Sequence, residues 1–281
     1  MTKPRTLLRT GWRSAASALT VTALTMLGTP GSALAAPITQ EVAGIATVGP
    51  TNVRYETSSP LLLDHFYFRD VNDDQHLKVL EVLPSANDRM FLAFSDQSED
   101  EQFEFQVAHQ RIPAAGVLSR QLYRTGCHGY CATKIDVPTG DYVFVISGFS
   151  FTFSDGDHHI DQVGIELLNG YVYQRFNDSN DDDEFSALVN YVWVPRSAFS
   201  FFETLTGTPA NRGQVTRDVA AGHKVIQSFN AQNVENDGEA DNHIKRFGFL
   251  THATTVDIYY GDKDPTDSGY WSYRLVYAVL T

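Results

Sequence analysis

Three histidines, His76, His159 and His243, stand 83 and 84 residues apart in this 281-residue chain, each in the same surroundings. An aromatic alternating run comes before. An acidic turn ends in the histidine. An alternating strand, a second acidic turn and a last alternating strand follow. A fixed period of this length marks one structural unit used repeatedly, so the chain divides into copies at 36–112, 113–196 and 197–281. Three near-equivalent units also weigh against a single composite active site.

In the middle copy, Phe149, Phe151 and Phe153 alternate, which is the period of a half-buried strand. Ser154 to His159 reads as a turn, since Gly and Asp supply unusual backbone angles and local hydrogen bonds. Ile160 to Leu168 restarts a strand, and Asn169-Gly170 is a two-residue hairpin signal. Tyr171 to Phe176 alternates again, Asn177 to Glu184 is acidic, and Phe185, Val189 and Tyr191 mark an inward face. Copy 1 repeats the order with Phe66 and Phe68, Leu80 and Val82, then Phe103, Val107 and His109. Copy 3 does so with Phe229, Phe247 and Phe249, Val256 and Ile258, then Trp271, Leu275 and Tyr277.

The stretches Ala36–Ser59, Pro113–Gly140 and Ser197–Gly222 are less regular and hold one or two short strands each. The expected fold is therefore all-β: three tandem antiparallel β-sandwich-like repeats of about 80 residues. No sustained 3.6-residue apolar period predicts helix. Beads with separate cores, packing with pseudo-threefold symmetry, and strand exchange all remain open. Short linkers and small units favour packing of copy against copy.

Lys3, Arg5, Arg9 and Arg13 precede an apolar stretch from Ala15 to Leu27 and then Ala33-Leu34-Ala35. That is the build of a secretory signal peptide cleaved near Ala35, so residues 1–35 are set aside and an extracellular location is expected. The formal net charge of −13 becomes four units more negative without that segment. Nucleic acid is not an expected partner, because phosphate binding needs clustered Lys and Arg. Membrane insertion is not expected either, since no other window is long and apolar enough to span. The two cysteines, Cys127 and Cys131, read as one local disulfide in an exported chain. With His128 between them they supply three soft ligands, one fewer than zinc wants.

The repeated His76, His159 and His243 are ligand-binding candidates, because a histidine beside carboxylates can act as a base or a metal ligand. The competing reading is a turn cap. Gln75 and Asn242 stand where copy 2 has His158, and neither is a base. Asp96, Asp178 and Asp262 recur in the second acidic turn and are the second set of candidates. Asp178, Asp181, Asp182, Asp262 and Asp264 are oxygen donors of the kind calcium takes, although their spacing is not that of an EF-hand. Calcium is the one candidate cofactor, and none is required. The expectation for Asp96, Asp178 and Asp262 is that each accepts hydrogen bonds from its own turn. No Gly-x-Ser-x-Gly elbow, His-Glu-x-x-His or Walker loop occurs, so the reading leans away from an enzyme.

The runs Val145 to Phe153, Ile160 to Ile165, Tyr171 to Phe176 with Asp178, and Tyr191-Val-Trp-Val194 resemble an H-type lectin domain. Phe94 to His109 and Tyr260 to Val279 look like weaker versions. The family departs in having Trp where Phe94, Phe176 and Tyr260 stand here. The resemblance implies small six-stranded sandwiches that assemble as trimers and bind sugars such as N-acetylgalactosamine, here with the trimer fused into one chain. A secreted, non-catalytic carbohydrate-binding protein is the expectation, its partner an extracellular glycan or cell-surface component. The alternatives are a structural cell-surface or matrix protein and a secreted polysaccharide hydrolase.

Overall fold

The computed structural model describes residues 36–47, 49–71, 77–95, 102–154, 160–178, 184–208, 213–233, 244–262 and 271–281. Eighteen strands fall six to each copy. Copy 1 holds β1 (Ile38–Ala46), β2 (Thr51–Arg54), β3 (Leu61–Asp70), β4 (Val79–Ser85), β5 (Arg89–Ser95) and β6 (Phe103–Arg111). Copy 2 holds β7 (Leu118–His128), β8 (Tyr130–Lys134), β9 (Tyr142–Phe153), β10 (Ile160–Leu168), β11 (Tyr171–Asp178) and β12 (Glu184–Pro195). Copy 3 holds β13 (Phe199–Gly207), β14 (Gly213–Asp218), β15 (Lys224–Asn233), β16 (Ile244–Thr251), β17 (Thr255–Asp262) and β18 (Trp271–Leu280). One 3-10 turn, Arg196–Ala198, is the helical content of the described residues.

Each copy splits into two three-stranded halves, and each half completes a six-stranded antiparallel sheet with a neighbouring copy. Sheet I runs β1-β6-β3-β16-β17-β14, from copies 1 and 3. Sheet II runs β7-β12-β9-β4-β5-β2, from copies 2 and 1, and sheet III runs β13-β18-β15-β10-β11-β8, from copies 3 and 2. The backbones of sheets II and III pair at one position, His128↔Tyr130, at the corner between β7 and β8. The Cys127–Cys131 disulfide, with sulfurs 2.00 Å apart, closes that corner.

The three joints are equivalent. Each pairs the third strand of one copy with the fourth strand of another over four residues. These are Val79↔Thr152 to Val82↔Phe149, Gln162↔Gln232 to Ile165↔Phe229, and Arg246↔Arg69 to Phe249↔Phe66. The last residue of each third-strand run is a phenylalanine, and the three meet on the pseudo-threefold axis. The Phe66, Phe149 and Phe229 ring centroids lie 5.1, 5.2 and 5.4 Å apart, and all three side chains are fully buried. Four residues earlier on each strand, Leu62, Val145 and Val225 are also fully buried, within a second apolar cluster. The long aromatic alternation of the sequence thus serves two jobs. Phe66, Phe149 and Phe229 bind copy to copy, whereas Phe68–Phe94 and Phe151–Phe176 stack the halves of one copy together.

The Asn169-Gly170 signal produces a hairpin with both residues at positive φ, 53° and 79°, which brings Leu168 opposite Tyr171. Each third strand also carries a bulge at the same place. Pairing skips between Leu63 and His65, opposite the Asn190/Tyr191 step on β9, and between Ile226 and Ser228. Asp64, Ser147 and Gln227 are the residues left outside the ladder. A bulge re-aims a side chain and frees its backbone from the sheet, so each joint receives one polar residue close to the axis.

Candidate functional site

The registers gather the strand ends that flank the acidic stretches at one end of the molecule. Val79 pairs with Ser95 and Asp70 with Phe103; Ile160 pairs with Asp178 and Phe185 with Phe153; Ile244 pairs with Asp262 and Asn233 with Trp271. These are the strand ends that the turns connect, grouped around one end of the axis. Half of the 34 acidic residues belong to the stretches of sequence that connect these strand ends. His76, Asp96, His159, Asp181, Asp182, His243 and Asp264 lie outside the described residues. Asp178 and Asp262 are described as the last strand residues of β11 and β17, their backbones paired to Ile160 and Ile244. Among the described residues, no group of three or more His, Cys, Asp and Glu is placed to hold a metal ion.

The other end is defined by the three bulges, and its joints have diverged. Between copies 1 and 3 the bulge residue is Asp64, buried and wrapped in polar groups. Its carboxylate accepts from Gln110 Nε2 and from the Thr251 hydroxyl of copy 3. His65 Nδ1 lies 3.2 Å from the same hydroxyl. Gln110 also bonds Thr39 at 2.9 Å, and Thr39 Oγ1 lies 3.4 Å from His223 Nδ1 of copy 3. Lys224, five residues before the axial Phe229, is 1 % exposed and donates to the carbonyls of Gly222, His252 and Ala253. Burial raises the Asp64 carboxyl, but the hydrogen bonds from His65, Thr251 and Gln110 and the charge of His65 win and hold it below its ordinary value.

Asp64, His65 and Thr251 have the residue types of a hydrolase triad but not its geometry. Asp64 and Thr251 both meet Nδ1 of His65, at 3.5 and 3.2 Å, while Nε2 is buried without a partner among the described residues. A relay needs the carboxylate on one ring nitrogen and the nucleophile on the other. The cluster instead clamps copy 3 to copy 1.

Between copies 1 and 2 the bulge residue is Ser147, whose carbonyl accepts from His109 Nε2–H at 2.8 Å. The other ring nitrogen of His109 faces the Tyr55 hydroxyl at 2.9 Å, and that hydroxyl is 2.7 Å from the Gln40 carbonyl oxygen. Since Ser147 offers only an acceptor, Nε2 carries the proton of the neutral ring, and Nδ1 and the Gln40 carbonyl are two acceptors facing the single Tyr55 hydroxyl proton. Beside this chain lies a groove of about 550 Å3, lined mainly by small polar residues and proline, with Arg120, Gln121, Asn190 and Tyr191. Between copies 2 and 3 the bulge residue Gln227 faces a groove of about 390 Å3, rich in aromatic rings. Both grooves are open, whereas the equivalent place between copies 1 and 3 holds Lys224 and the Asp64 network.

The acidic turns were singled out from the sequence; the bulge residues were not. A signal did exist. Asp64-His65 interrupts the apolar run Leu61 to Phe68, and Lys224 opens the strand that leads to Phe229.

No family model matches this chain, and no curated protein matches it. Among solved structures, a chain from the atomic structure of Sulfolobus turreted icosahedral virus overlaps 93% of this chain and 90% of its own length, at 10% identity and a TM-score of 0.18. A chain described with the triple jelly roll fold and turret assembly of an archaeal virus overlaps 87% of this chain and 89% of its own, at 10% identity and a TM-score of 0.16. Overlaps this loose carry no argument about fold or function.

Proposed function

We propose that this chain is a secreted, non-catalytic carbohydrate-binding protein, a lectin-like trimer fused into one polypeptide. The observation that carries the reading is the arrangement of the copies. Six strands per copy and a shared axis are what the resemblance to H-type lectin domains implies for a fused trimer. The same arrangement gathers the strand ends next to Asp96, Asp178 and Asp262 at one end, giving a multivalent face. Carboxylates suit sugars because they accept from hydroxyls, while the rings that flank the turns, Phe94, Phe176 and Tyr260, are buried and hold the strand ends in place. Three weak sites on one rigid body gain affinity through effective concentration.

The test is a glycan array probed with the full mature chain, with and without calcium. Binding that is weakened by Asp178→Ala and Asp262→Ala supports the reading. Absence of binding to every glycan, with calcium present, rules it out and leaves the structural cell-surface alternative.

A further inference from the structure

The groove between copies 2 and 3 differs in chemistry from its two counterparts. Its walls include Tyr142, Phe144, Trp193 and Phe202. Phe144 and Trp193 meet edge to face with centroids 5.8 Å apart, so the aromatic wall is held by its own packing. Trp193 is 3 % exposed, and its Nε1–H has no hydrogen-bond partner among the described residues. Leaving a buried indole donor unpaired is costly, and buried Trp usually finds an acceptor.

The charge of the groove runs against that of the chain. Arg196 and Arg274 line it, in a protein of formal net charge −13, and the carboxylates they face, Asp141 at 3.9 Å from Arg196 and Glu166 behind Arg274, lie outside the lining. Arg196 lies over the Phe202 ring, 4.4 Å from its centroid, which fixes the plane of its guanidinium. Arg274 gives one nitrogen to the buried Glu166 at 3.1 Å, and a guanidinium has five N–H donors. With Gln227 and Ser228 the wall offers many donors and few acceptors.

We propose that this groove binds one saccharide unit bearing a carboxylate or sulfate. The inference rests on the carbohydrate-binding reading and goes beyond it, naming a site at the end opposite the acidic turns and a ligand charge. The apolar face of a sugar ring covers the half-buried rings of Tyr142 and Phe202, a small shift of the Trp193 ring opens its buried N–H to a ring oxygen or hydroxyl, and the anionic group lies against Arg196 and Arg274. A volume of about 390 Å3 falls within the range of small-ligand sites. The joint between copies 1 and 2 has no comparable aromatic wall, and the joint between copies 1 and 3 is filled by Lys224. The expected stoichiometry is therefore one per chain.

The full mature chain, carrying Trp271→Phe so that Trp193 dominates its emission, is titrated with digalacturonate, a sulfated galactose disaccharide and neutral digalactose. Calorimetry gives stoichiometry, and melting curves verify that each variant folds. The expected result is one site, a change in Trp193 emission, and binding of an anionic disaccharide at least tenfold tighter than the neutral one. The tighter of the two anions assigns the charged group. Arg196→Gln removes that preference, and Trp193→Phe weakens binding about tenfold, followed by calorimetry. Equal affinity for charged and neutral sugars, or binding untouched by both variants in folded protein, overturns the proposal. Glycan binding that survives these variants but is lost in Asp178→Ala leaves the general reading intact and refutes this groove. Binding of none of the three saccharides refutes this groove, and the glycan array decides the general reading separately.

Discussion

At the scale of single residues, the axis and its flanks concentrate groups that tolerate little change. His109 is fully buried, and that burial outweighs the Ser147 carbonyl and Asp64 and lowers its pKa from 6.5 to about 4. Between those values the unfolded chain binds a proton that the folded chain does not, so stability is full above pH 6.5 and falls towards pH 4. The loss approaches about 3 kcal/mol, at 1.36 kcal/mol for each unit of pKa. Asp64 acts in the same direction at lower pH. Its folded value is depressed, so its contribution is present above about 3.8 and is lost below that. Tyr191 and Tyr277 occupy the position of His109 in the other copies, on β12 and β18. His109→Tyr should therefore flatten the decline between pH 6.5 and 4.5 in urea unfolding curves; an unchanged slope would refute the assignment. Phe149→Ala removes a ring from the axial triad and should cost about 3–5 kcal/mol, measured by the same unfolding curves. A cost below 1 kcal/mol would mean that the axis is not a packed core.

At the scale of strands, how much was legible depended on how each strand is buried. β9 alternates visibly because its Phe149, Phe151 and Phe153 all face apolar neighbours. β7 is nearly as long, yet ten of its eleven residues, all but Cys127, are exposed or only half-buried, since it lies at the rim of sheet II. An edge strand with one wet face and one partner leaves little periodicity to read. The bulges were hidden for another reason: a bulged polar residue looks like a misplaced one until the ladder is known. Glycines at the joints carry the same lesson. Gly248 has φ +143°, and an added Cβ would sit 2.2 Å from the Phe66 carbonyl oxygen. Gly164 stands at the same place in copy 2, while copy 1 has Glu81, whose carboxylate accepts from Ser150 at 3.0 Å. Gly248→Ala should thus destabilise by more than about 1–3 kcal/mol, the backbone cost alone, whereas Glu81→Ala should cost less. Thermal melts of the two variants side by side decide it, and equal shifts would refute the close approach at β16.

At the scale of the whole molecule, three joints hold the ring and only two are bridged by chain. Copy 1 leads into copy 2 and copy 2 into copy 3 through short links, whereas copies 3 and 1 close without a covalent connection, and that is the joint with the Asp64–Thr251 network. Period and alternation in the sequence specified the copies but not their exchange of halves. A third strand pairing with a neighbour's fourth strand looks, residue by residue, the same as one pairing within its own copy. The sharing of sheets has a direct consequence for a single copy. Residues 113–196 contain β7-β12-β9 and β10-β11-β8, each half a sheet whose joint edge, β9 or β10, is covered only by another copy. Left alone, Phe149 and Ile165 would be exposed on those edges, and an uncovered apolar strand edge associates. The edges match each other, because Ile165 pairs with Phe229 and Val82 with Phe149 in equivalent registers. Expressed as a separate polypeptide, 113–196 should therefore form a homotrimer with three identical joints, and its melting temperature should rise with protein concentration. Light scattering with size-exclusion chromatography reads the mass directly. A folded monomer with a concentration-independent melt would show that each copy completes its own core and that the shared sheets contribute little.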